Sequence, residues 1–102
     1  MANPLIAGLK PTHPGEVLRE VVLPGVAFSK AEVARMLGVS RQHLYDVLGE
    51  KKPITSQMAL RLARLFGGEP DLWLRLQMTY DLRVTAEAMA EELAGIPQLQ
   101  AA

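Results

Sequence analysis

Residues 29–48 read S-K-A-E-V-A-R-M-L-G-V-S-R-Q-H-L-Y-D-V-L. Ser29 followed three residues later by Glu32 is a capping box, in which each side chain satisfies a free backbone N–H of the other at a helix start. Val33, Ala34 and Leu37 then share one helical face, with Met36 on its flank. Gly38 tolerates the left-handed backbone that ends a helix tightly. Val39 follows as an apolar plug, and Ser40 caps a second helix only three residues after Leu37. On that second helix Leu44, Val47 and Leu48, spaced by three and four, face inward.

Two short helices joined by the turn Leu37-Gly38-Val39-Ser40 form a helix-turn-helix, the unit that lays its second helix in the DNA major groove. Outward on that helix stand Arg41, Gln42, Tyr45 and Asp46. Arg41 can bond guanine in two-pronged fashion and Gln42 adenine, each contact giving on the order of 1–3 kcal/mol of discrimination. Tyr45 also lies near the edge of the apolar face, so a half-buried core position is its alternative reading. Lys51, Lys52 and Pro53 form a short basic loop directly after the helix. The two lysines are either phosphate contacts or simply solvated.

Working outward, residues 1–12 contain Pro4, Gly8 and Pro11 with no sustained period and read as a flexible arm. A first helix starts at Pro14, places Val17, Leu18, Val21 and Val22 on one face, and stops at Pro24-Gly25. Thr55 caps a fourth helix whose apolar stripe is Met58, Ala59, Leu62, Ala63 and Phe66, ended by Gly67-Gly68. Pro70 and Asp71 open a fifth, long helix that runs through the helix-prone T-A-E-A-M-A-E-E-L-A to Gly95 and Pro97. No segment alternates with period two. The expected fold is therefore all-α with five helices, a domain over 13–94 and a tail over 95–102. The fifth helix carries apolar side chains on several faces, more than one small core covers. Trp73, Leu76 and Tyr80 read as core or dimer seam, and Leu72 and Met78 with them make a homodimer through this helix the expectation. The candidate seam is Leu72, Leu76, Met78 and Tyr80.

The chain has 102 residues, 49% of them hydrophobic and 22% charged, the balance of one small globular domain. Eleven Lys and Arg against eleven Asp and Glu leave no bulk charge excess, so any charge signal is local. Residues 29–52 lean positive through Lys30, Arg35, Arg41, Lys51 and Lys52, and the C-terminal half leans negative. That modest local excess fits a dimer reading a defined site rather than a binder held by charge alone. The absence of cysteine excludes disulfides, thiolate nucleophiles and cysteine-based metal sites, and makes the cytoplasm the expected compartment. No apolar run approaches a membrane span, and the first residues do not read as a signal peptide. His13 and His43 are too few for a metal site without carboxylate help, and neither is given a ligand role. With no glycine-rich phosphate loop, no G-x-S-x-G and no evident acid pair, no catalytic residue and no cofactor is assigned.

Four stretches, H-P-G-E-V-L-R-E (13–20), S-K-A-E-V-A-R-M-L-G-V-S-R-Q (29–42), K-K-P-I-T-S-Q-M-A-L-R-L-A-R-L-F-G (51–67) and W-L-R-L-Q-M-T-Y-D-L (73–82), resemble the HigA family of antitoxins. That family lies within the lambda-repressor/XRE group of helix-turn-helix repressors, and the resemblance covers about residues 12–83. It implies a lambda-repressor-like fold and a homodimer that binds a palindromic operator and represses its own operon. It also implies a protein partner, a HigB-like toxin related to the RelE mRNA endonuclease. By position it puts Ser40, Arg41, Gln42 and Tyr45 at the groove, Lys30 at a phosphate, and Lys51, Lys52 and Thr55 on the flanking backbone. The chain would then be cytoplasmic, and nucleoid-associated when operator-bound. The pattern departs at Gly49-Glu50, where relatives commonly carry Asn-Gly. A stand-alone XRE-type repressor with no toxin is the alternative reading.

Overall fold

The computed structural model describes residues 11–100; most of the sequence-predicted N-terminal arm, 1–12, lies outside them. The first helical segment begins as α1 (Pro14–Val17), continues through a π-helical turn (Leu18–Val22) and closes in a 3-10 turn (Leu23–Gly25). Then follow α2 (Lys30–Leu37), α3 (Arg41–Leu48), α4 (Ser56–Phe66), α5 (Pro70–Ala88) and α6 (Ala90–Ala94). There is no strand among the described residues. The all-α expectation therefore holds among the described residues.

The capping residues do what their sequence positions require. Ser29 Oγ accepts from the Glu32 N–H and Glu32 Oε1 from the Ser29 N–H, both at 3.1 Å, so α2 opens in a complete capping box. Gly38 closes α2 at φ 76°, and the Val39 N–H returns to the Ala34 carbonyl at 3.0 Å. Ser40 caps α3 by accepting from the His43 N–H at 3.0 Å, and Thr55 caps α4 by accepting from the Met58 N–H at 3.2 Å.

One core gathers a stripe from each element up to the start of α5. Leu18, Val33, Ala34, Leu37, Leu44, Val47, Leu48, Ile54, Met58, Ala59, Leu62 and Trp73 are all buried. These include every inward position read on the second and third helices. Ala63 and Phe66 are only partly buried. Val21, expected on the inner face of the first helix, is 70% exposed. The Leu23 N–H there bonds the Leu18 carbonyl, five residues back. The wider π turn rotates Val21 away from the core.

The fifth helix also differs from its sequence reading. It breaks at Met89 (φ −106°, ψ 16°), and α6 resumes one residue later. Met89 still donates to Thr85 and accepts from Leu93, so the interruption is a local bend in a nearly continuous ladder. None of the residues around it forbids helix, so propensity alone does not foresee the bend. Only Trp73 and Gln77 of α5 are fully buried, and its second half leads away from the core.

Candidate nucleic-acid interface

Because Leu44, Val47 and Leu48 commit one face of α3 to the core, Arg41, Gln42 and Tyr45 are turned outward and exposed. Tyr45, at 46% exposure, belongs to the outer surface and not to the core. Lys30, Ser40, Lys51, Lys52 and Thr55 are exposed as well. Arg41 shares a shallow cleft with Arg35, lined by Ala31, Ala34 and Val39, between the starts of α2 and α3. A second cleft brings Ser40 and Thr55 together with His43, Gln57 and Arg61. Two capped helix N-termini thus open on one depression, with their positive dipole ends beside polar side chains, an arrangement suited to a phosphate. Arg35 and Gln57 were not singled out from sequence. Their place at these clefts follows from the crossing of α2, α3 and α4, which no local pattern encodes.

Asp46 is not a free carboxylate. Its Oδ1 accepts from Gln42 Nε2 at 2.9 Å, and Lys52 Nζ stands 3.5 Å from its Oδ2. The Gln42 hydrogen bond, followed by the nearby Lys52 and Lys51 charges, holds the Asp46 carboxyl below its usual range. Glu50 turns inward in the same way, with its side chain 21% exposed and 3.5 Å from Arg19 Nη1. Its backbone is left-handed at φ 63°. The departure from Asn-Gly at this turn therefore places a carboxylate where a residue tolerant of positive φ is the easier choice.

Four long-range contacts hold this surface in place. Gly15 of α1 is buried so tightly on α3 that a Cβ there would overlap the Val47 carbonyl oxygen. Arg19 donates to the Leu48 carbonyl, an orphan acceptor at the end of α3. Arg61 of α4 donates to the Leu37 carbonyl at 2.8 Å, bracing the turn between α2 and α3. The buried Gln77 of α5 accepts from the Ile54 N–H at 2.7 Å, which anchors the segment after Lys51, Lys52 and Pro53. His13 contributes by capping α1: its Nδ1 accepts from the Gly15 N–H at 2.9 Å. Burial lowers the His13 pKa, against the opposing influence of Glu50 and Asp81.

The four candidate seam residues divide. Leu76 packs against the core, and Tyr80 lies edge-on to His13 with ring centroids 4.8 Å apart. Leu72 and Met78 are 56% and 55% exposed. Among the described residues no cluster of His, Cys, Asp and Glu is suited to a metal, and no helix is long and apolar enough to cross a membrane.

Comparison with known proteins identifies the family. The Helix-turn-helix family matches residues 27–73, the span from the start of α2 into α5. Virulence-associated protein I of Dichelobacter nodosus is 40% identical over 75 residues, covering 74% of this chain and 69% of the relative. The solved structure of antitoxin GraA in complex with its operator is 36% identical, with a TM-score of 0.84 over 100% of this chain and 99% of that one. The Pseudomonas aeruginosa antitoxin HigA, solved with the higBA promoter, is 35% identical, with a TM-score of 0.83 over 88% of this chain and 99% of that one. The chain belongs to the XRE-type helix-turn-helix family, a class of DNA-binding regulators and not of enzymes, and within it to the HigA antitoxin group.

Proposed function

We propose that this chain is a homodimeric, sequence-specific operator-binding repressor of its own operon, and the antitoxin that binds and neutralises a HigB-like toxin of the RelE type. The observation that carries the DNA reading is the exposed row Arg41, Gln42 and Tyr45 on α3, flanked by the capped starts of α3 and α4 and by Lys30, Lys51 and Lys52. In this reading Arg41 and Gln42 meet base edges, while Ser40, Thr55 and the lysines fix the phosphate register. Leu72 and Met78, the outward pair on α5, are the seam residues that remain available to a second copy. Pairing through that helix would set two copies of α3 about one DNA turn apart, which calls for a palindromic operator. The working unit is 13–94, acting in the cytoplasm and on the nucleoid when operator-bound.

The test has two arms. The chain is titrated with the DNA upstream of its own gene and with a scrambled duplex of equal length; tight binding to the first alone supports repression. The neighbouring small open reading frame is then expressed with and without this chain. Growth arrest relieved by the chain, and still relieved by Arg41→Ala, supports neutralisation separate from DNA binding. A harmless neighbour would remove the antitoxin role and leave a stand-alone repressor.

A further inference from the structure

A carboxylate on a DNA-facing surface repels phosphate, so Asp46 needs a reason to sit on the outer face of α3. It lies one helical turn after Gln42 and holds three things at once. Its Oδ1 takes the Gln42 amide N–H at 2.9 Å, its Oδ2 faces Lys52 Nζ, and its main-chain carbonyl accepts from the N–H groups of Lys51 (2.8 Å) and Lys52 (3.2 Å). We propose that Asp46 is a positioning residue that makes Gln42 an adenine reader, by fixing which end of the Gln42 amide faces the base. The inference rests on the operator-binding reading above and adds the determinant of one base preference.

The chemistry follows from donors and acceptors. An ionised carboxylate only accepts, so it faces the amide nitrogen of Gln42 and never the amide oxygen. The hydrogen bond from Gln42, with the Lys52 and Lys51 charges, keeps Asp46 ionised. One N–H is thereby committed and the amide cannot turn over. Gln42 then offers the groove one acceptor, Oε1, and one remaining N–H. Adenine presents the matching pair, the N6 donor and the N7 acceptor. Guanine presents two acceptors, N7 and O6, so Oε1 would meet O6 lone pair to lone pair. An amide free to turn discriminates less between the two. Asp46 also offsets the Lys52 charge, which lowers attraction to any sequence and raises the share of affinity that base contacts supply.

Wild type, Asp46→Ala and Asp46→Asn are each used to select from a randomised duplex library, then titrated with the selected duplex and with a scrambled one. For Asp46→Ala, the adenine-over-guanine preference at one position per half-site falls by about tenfold, while binding to scrambled DNA tightens. Asp46→Asn, which keeps an acceptor but no charge, also tightens scrambled binding and retains part of the preference. In a Gln42→Ala background, Asp46→Ala costs no further preference. Unchanged base preference in Asp46→Ala overturns the proposal, as does an equal weakening on every sequence, which would mark a structural role. Undiminished loss in the Gln42→Ala background would show Asp46 reading a base itself. A wild type that enriches no sequence would overturn the operator-binding reading, and this inference with it.

Discussion

Arg61 Nη1 donates to the carbonyl oxygen of Leu37 at 2.8 Å, from a helix two elements further along the chain. It satisfies a carbonyl group at the end of α2 and ties α4 to the turn that leads into α3. Arg61→Ala should destabilise the fold by about 1.5–3 kcal/mol, the usual range for a hydrogen bond with a charged partner. Thermal denaturation checks this. Gly38→Ala should cost about 1–2 kcal/mol from the left-handed backbone at φ 76° alone, and more in total, because its Cβ would stand 2.6 Å from Arg61 Nη1, the atom that holds the Leu37 carbonyl.

Gly15→Ala should be far more damaging, by about 3 kcal/mol or more, because the new methyl group meets the Val47 main chain and not a side chain that can move aside. Gly25→Ala is the matched control, with nothing within 4 Å of the added Cβ, and should leave the melting temperature nearly unchanged.

The capping box of Ser29 and Glu32, Gly38, and the caps Ser40 and Thr55 could all be read from sequence because each is a signal between neighbours in the chain. The buried stripes of α2 and α3 followed from helical spacing for the same reason. What sequence did not reveal is what joins separate elements: Gly15 on Val47, Arg19 on Leu48, Arg61 on Leu37, Gln77 on Ile54. Arg19, Arg61 and Gln77 carry no local signal that sets them apart from solvated helix positions, and their partners emerge only where the helices cross. Val21 and Met89 depart from the regular α periodicity because a π turn and a bend interrupt it.

Stability should fall on mild acidification through His13. Its Nδ1 must be unprotonated to accept from the Gly15 N–H, and burial holds its folded pKa below the unfolded value of 6.5. The unfolded chain therefore binds more protons, so the contribution is fully present above 6.5 and is lost as pH falls from there through the folded pKa. Glu50 and Asp81, the acidic groups acting on it, narrow the window without reversing the sign. Urea melts between about pH 5.5 and 7.5, spanning the histidine range, should show this slope in the wild type. In His13→Asn, which keeps a capping acceptor but does not titrate, the slope should flatten.

Within the interface, Arg41→Ala and Gln42→Ala should each weaken operator binding by about 1–3 kcal/mol and relax preference at one position. Lys51→Ala and Lys52→Ala should weaken binding to all sequences alike and reduce the salt dependence by about one unit each. Fluorescence anisotropy titrations across a salt series separate the two classes.

If α3 reads a defined DNA sequence, the intact chain must tell one duplex from another. The most direct measurement is a titration of the intact chain with the duplex from upstream of its own gene, and with a scrambled duplex, at low and at physiological salt. The specific duplex should stay bound at physiological salt, at least about 1,000-fold tighter than the scrambled one. Equal affinity for both sequences, erased by salt, would contradict sequence reading by α3.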